Sequence, residues 1–162
     1  MKIFLYNIGK IIYGIKEDCM ATALDVAKAF LKLSDPDSGD VLTNLKLQKL
    51  VYYAQGFSLA LNDKPLFKEQ VVAWEHGPVV PELYRTFKSF GASQVTIDDE
   101  LAEGALSEDE LDLIAEVNKV YGQFSAWKLR DMTHNESPWL QTSQSQVITN
   151  EKLKEYFKTQ TK

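Results

Sequence analysis

The longest stretch of this chain that is apolar enough and long enough for a buried helix runs from Leu45 to Leu61. Leu47, Leu50, Val51, Ala54, Phe57 and Leu61 recur at steps of three and four, and Tyr52, Tyr53, Leu59 and Ala60 make the opposite side apolar as well. A helix without a polar face belongs in the middle of a domain. Gly56 inside it costs about 1 kcal/mol against alanine, which predicts a second backbone crossing there. Thr22 caps an earlier helix with Leu24, Ala27, Phe30 and Leu31 on one face, and the turn formers of 35–40 separate the two. Thr43 or Asn44 caps the central helix, and 62–65 stops it.

Val71 to Trp74 reads as a strand, with Val95 to Ile97 as the second strand that pairs with it. Between them Pro78 extends Gly77, and Pro81 opens a helix whose buried face is Leu83, Tyr84, Phe87 and Phe90, ended by Gly91. Ser107 and Glu110 form a capping box for a helix carrying Leu111, Ile114, Val117 and Tyr121, closed by Gly122. Ser125 caps another, with Ala126, Leu129 and Met132 inward. Ser137-Pro138 opens a short turn bearing Trp139, and Thr149 opens a last helix with Leu153, Tyr156 and Phe157. The expected fold is mainly α: a compact single-domain helical bundle around a buried central helix, with a small two-stranded β element.

Composition narrows the function. With 162 residues, 44% of them hydrophobic and 25% charged, the chain fits one globular domain. The single cysteine, Cys19, excludes a disulfide scaffold and suits a reducing cytoplasm. A formal charge of −5 argues against broad nucleic-acid binding on electrostatic grounds, and no recognition helix with several basic side chains stands out for an autoregulator. No window reaches the roughly 18 apolar residues of a membrane span. In the N-terminal stretch Asn7, Gly9 and Lys10 interrupt the apolar run, and 16–19 is no signal-peptidase site. Residues 1–19 read instead as a translated leader or disordered extension before Met20, because Lys16 to Met20 can be encoded with a purine-rich ribosome-binding sequence ahead of an ATG. An ordered strand or helix from Ile3 to Ile15 is the alternative. The domain then spans 20–158, with 159–162 a polar tail.

Catalytic chemistry has little to work with. His76 and His134 are the only histidines, and no zinc spacing, Walker loop, dinucleotide fingerprint or nucleophile elbow occurs, so neither metal nor cofactor is expected. A hydrolase using His134 with Ser137 or Ser125 is the enzymatic alternative, although both serines already serve as caps. Two clusters stand out: 74–78, with Trp74, Glu75 and His76 before Gly77-Pro78, and 133–139, with His134, Asn135, Glu136 and Trp139. Each either fixes a corner of the fold through bonds to neighbouring backbone or forms a recognition surface anchored by tryptophan. From Ser89 to Asn118 there is no Lys or Arg, while Asp98, Asp99, Glu100, Glu103 and the acids of 108–116 all fall in that interval. Such a run is a solvated face that also steers a basic partner.

The run from Leu45 to Gly56 (LKLQKLVYYAQG), followed by Ala73 to Tyr84 (AWEHGPVVPELY), resembles the Panacea domain of SocA-like antitoxins and phage-associated proteins. Thr133 to Trp139 and Ile148 to Phe157 fit as well, so the likeness covers about Met20 to Phe157. Asn44 stands where many relatives have proline, and an asparagine cap keeps the helix start intact. The resemblance implies a mostly helical, non-enzymatic, cytoplasmic antitoxin that neutralises a co-encoded toxin by direct contact, or, as in one branch, an adaptor that delivers the toxin to a cellular protease. The residues expected at the toxin contact are Trp74, His76, Tyr84, His134 and Trp139 as anchors, with Asp98, Asp99 and Glu100 as steering charges.

Overall fold

Fourteen of the nineteen residues of the central helix α2 (Asn44–Asn62) are buried, and they point in every direction around its axis. A computed structural model describes residues 20–161 except Pro36, Ser38 and Asp40, so the expectations for 1–19 lie outside the described residues. Before α2 comes α1 (Ala23–Leu33), started by a capping box in which Thr22 and Asp25 satisfy each other's backbone N–H. After it come β1 (Val71–Trp74), β2 (Gly77–Val79), α3 (Pro81–Phe87) with a 3₁₀ turn (Lys88–Phe90), α4 (Glu108–Tyr121), α5 (Ala126–Thr133), the single turn α6 (Ser137–Leu140), β3 (Val147–Ile148) and α7 (Asn150–Gln160). Helix α2 packs most extensively on α7, and then on α4, α5, β2 and α1. The expected mainly helical bundle around one buried helix is the observed one. Among the described residues no helix is long and apolar enough to cross a membrane.

The atoms nearest Gly56 belong to a side chain and not, as expected, to a crossing backbone. A methyl group there would overlap the ring of Phe157 from α7, so the notch admits an aromatic side chain instead. That ring meets Phe57 at 4.9 Å, Tyr52 at 5.5 Å and Tyr53 at 5.9 Å, all edge to face. Helix α2 ends where Asp63 turns into the left-handed region (φ 58°), and the Asp63 carboxylate closes on Lys154 of α7. The Lys154 hydrogen bond and charge hold that exposed carboxyl below its usual range.

The β element has three strands in the order β2-β1-β3, both pairs antiparallel. The strand expected at Val95 to Ile97 does not form. Val95 instead makes one backbone bond, donating to Leu42 O at 2.9 Å, while Gln94 Oε1 accepts from Leu42 N at 2.7 Å. These bonds tie the segment to the entry of α2, and the edges of β1 are taken by its own hairpin partner and by β3. The β1–β3 join contains a bulge: Ser145 N donates to Ala73 O at 2.7 Å and Ala73 N to Gln146 O at 2.9 Å, so two residues face one.

A helix buried all round cannot leave a polar side chain unpaired. Gln55 accepts from Leu66 N and Phe67 N and donates to Phe67 O, holding the loop after α2. Ser58 donates to Lys64 O. Lys49 is fully buried and donates to Pro78 O at 3.0 Å, and burial, then the charge of nearby Arg130, pushes its amine down to about 7.

Gly56→Ala is expected to cost about 1–3 kcal/mol by overpacking; urea denaturation should show part of that loss recovered in the Gly56→Ala, Phe157→Leu double variant. The Lys49 shift gives a second prediction. Its folded value lies below the ordinary 10.5, so from about pH 7 to 10.5 the unfolded chain holds more protons at this site. Stability therefore rises with pH through that window, and the contribution is lost as pH falls through 7. Above about pH 10 the raised values of Tyr52 and Tyr53 act the other way, so stability peaks just below pH 10. In denaturation curves taken from pH 6.5 to 9, Lys49→Met should flatten the rise, which is about 2–3 kcal/mol over that range.

Candidate functional site

The hairpin corner between β1 and β2 is held from beneath by side chains of three helices. Its two-residue turn, Glu75-His76, closes on the pair Trp74 and Gly77. Gly77 has φ +98°, and a Cβ there would lie 2.7 Å from Thr133 Oγ1 and 2.9 Å from Lys49 Cε, so only glycine fits. Trp139 of α6 donates its indole N–H to Trp74 O at 2.9 Å. His134, at the end of α5, sets Nε2 2.8 Å from Glu75 O and Nδ1 2.8 Å from Arg130 O. A neutral ring donates to one of these carbonyls and an imidazolium to both. The two rings pack edge to face at 3.9 Å. From α2, Lys49 takes Pro78 O and Gln48 accepts from Val80 N at 2.9 Å, while Gln48 also donates to Asn44 Oδ1, and Asn44 to Tyr84 O. Five backbone groups from Trp74 to Tyr84 are thereby fixed by side chains.

Beneath these struts sits Glu136, 6% exposed, accepting from Tyr52 Oη at 2.8 Å and Tyr53 Oη at 2.7 Å. Burial raises its carboxyl, and hydrogen bonds from Tyr53, Tyr52 and Tyr156 pull the other way. Desolvation and the nearby carboxyl raise both tyrosines in turn. The sequence reading gave Glu136 no role of its own, although it joins α2 to the start of α6.

Above the corner lies a groove of about 550 Å³ that gathers Trp74, His76 and Tyr84 with Trp127, Lys88, Gln144 and Ser145. Trp74 and Tyr84 meet edge to face at 5.0 Å. His76 meets Trp127 of α5 at 5.8 Å, and Trp127 is 60% exposed. Trp127 was missed by sequence reasoning. The available signal was a tryptophan off the inward Ala126, Leu129 and Met132 face of its helix, a large apolar group with no core to enter. Ser145 was missed as well. It holds φ 64° at the bulge, where glycine is the usual residue, at a cost of about 1 kcal/mol.

The remaining expected residues lie elsewhere. His134 and Trp139 are half-buried struts under the corner and do not line the groove. Asp98, Asp99 and Glu100 lie beside α1, where Lys28 pairs with Asp99 at 2.6 Å and donates to Glu100 O. Asp99 and Glu100 line a separate depression of about 340 Å³ with Leu31, Val95 and Leu101. For the residues of the enzymatic alternative, both His134 nitrogens face carbonyls, Ser125 Oγ accepts from Lys128 N as the α5 cap, and Ser137 is the first residue of α6, whose cap position is Glu136.

Residues 47–140 match the protein family described as Antitoxin SocA-like, Panacea domain. The protein named Antitoxin SocA of Caulobacter vibrioides (strain NA1000 / CB15N) is 41% identical over 54 residues, covering 33% of this chain and 29% of that relative. The match thus spans under a third of the relative's length. No solved structure matches the chain at a significant level.

The struts carry a prediction that separates support from contact. His134→Ala should cost about 1 kcal/mol, because Glu75 O loses its partner while Arg130 O keeps those from His134 N and Thr133 Oγ1, and Trp139→Phe about 1 kcal/mol, because it removes the donor to Trp74 O and keeps an aromatic ring. Urea denaturation monitored by tryptophan fluorescence measures both.

Proposed function

The chain belongs to the SocA-like antitoxin family built on the Panacea domain, and we propose on that basis that it neutralises a co-encoded toxin by binding it directly through the groove above the hairpin corner. The observation that carries this reading is the exposed Trp127 facing His76 across a rigid corner, with Trp74 and Tyr84 behind. Tryptophan and tyrosine are the side chains from which interfaces draw most of their energy. Held in place before contact, they lose little conformational freedom on binding.

The acids serve a different step. Glu108, Asp109, Asp112 and Glu116 are exposed along α4, and Asp98, Asp99 and Glu100 flank α1, so the field of this side draws in a basic toxin surface and makes association sensitive to salt. Asp99 contributes least, because Lys28 already neutralises it. The role asked of the protein is contact in the cytoplasm without a chemical step. A proteolytic adaptor is the alternative mode.

Co-expression with the adjacent open reading frame tests the proposal. The neighbour alone should arrest growth, and this chain should restore it without changing the amount of neighbour protein; a fall in that amount would indicate delivery to a protease. Trp127→Ala should abolish rescue and weaken binding at least about tenfold, with the melting temperature within about 1 °C of the parent. Rescue left intact by Trp127→Ala would remove the groove from the account.

A further inference from the structure

The polar wall of the groove is built at a cost the fold does not require. Ser145 occupies the first position of a β-bulge with φ 64°, the left-handed conformation that glycine enters freely and a serine does not. The bulge is closed on both sides, by Gln146 N donating to Ser143 O at 3.0 Å and Ser145 N donating to Ala73 O at 2.7 Å. Its main-chain bonds would be the same with glycine. What serine adds is its side chain, and Ser145 is one of the exposed residues lining the groove that also holds Trp74, Tyr84 and Trp127.

The two side-chain amides that α2 contributes to the groove are already occupied. Asn44 donates to Tyr84 O and accepts from Gln48, and Gln48 accepts from Val80 N. Gln144 and Ser145 are both exposed beside them. An amide and a hydroxyl set side by side offer donor and acceptor together, which is the pattern a peptide main chain presents in return.

We propose that Ser145 is a specificity-determining residue of the groove, hydrogen-bonding, with Gln144, the main chain of an extended toxin segment whose apolar side chain rests on Trp127. This rests on the groove being the toxin contact, and it assigns the occupant: a short stretch of peptide, read through its backbone on one wall and one apolar side chain on the other. Retaining a left-handed serine fits such a role, since strain of this kind persists where the surrounding structure and the contact made there both favour it.

Purified chain and the protein encoded by the adjacent reading frame provide the test, with affinity measured by titration calorimetry and stability by thermal melting. Ser145→Gly is expected to raise the melting temperature by about 2–5 °C and to weaken binding about five- to tenfold. Ser145→Ala, which keeps the strain and loses the hydroxyl, should weaken binding equally with the melting temperature within about 1 °C. Affinity within twofold of the parent in both variants would overturn the assignment, and if Trp127→Ala still weakened binding the groove itself would stand. An unchanged melting temperature in Ser145→Gly would remove the strain premise. No binding by the parent chain would overturn the groove and the serine together.

Discussion

Helix α2 has no face for water, and the rest of the structure follows from that. Most of its side chains are apolar and need only be covered, but Asn44, Gln48, Lys49, Gln55 and Ser58 must each find a partner inside. Their partners are overwhelmingly main-chain groups at the ends of neighbouring elements: Tyr84 O, Val80 N, Pro78 O, Phe67 O and Lys64 O. One helix therefore sets the position of the loop that follows it, of the hairpin and of the start of α3. Burial of polar groups acts here as a fixing device, because each misplaced element would leave a donor or acceptor without a partner at a cost of about 1–3 kcal/mol.

The same economy shapes the surface. A hairpin of two very short strands would be marginal by itself. With its carbonyls at Trp74, Glu75 and Pro78 tied to Trp139, His134 and Lys49, it becomes a stiff ledge on which His76 stands beside Trp127. In the proposed reading the aromatic groups of the ledge give contact and the exposed carboxylates long-range attraction. The structure keeps them apart, with the carboxylates of 98–100 against α1 and the aromatics against the hairpin.

The legible parts of the fold were those fixed by local chemistry. The caps at Thr22, Thr43, Ser107, Ser125 and Thr149 each accept the expected backbone N–H, and the apolar run of α2 announced its central place. The sheet was not legible, because strands of four, three and two residues are too short for an alternating pattern, and one contains proline. Val95 to Ile97 had the β-branched look of a strand, but Val95 is buried in the common core and bonded to Leu42 O without a ladder. For the groove, the motif of 74–84 supplies Trp74, His76 and Tyr84 of its lining. The residues from distant stretches, Trp127 and Ser145, carry no sequence signal linking them to it. His134 and Trp139 show the converse: aromatic and titratable residues in a motif look alike whether they face a partner or hold up the residues that do.

The segment shared with the family ends at residue 140, yet the notch at Gly56 is filled by Phe157, and α1 covers another side of the central helix. A fragment trimmed to the shared boundaries would expose Tyr52, Tyr53 and Phe57 to solvent along a seam that α7 normally closes. The matched unit is thus smaller than the unit that encloses the central helix, and the flanking helices are bound by the shape of what they must seal.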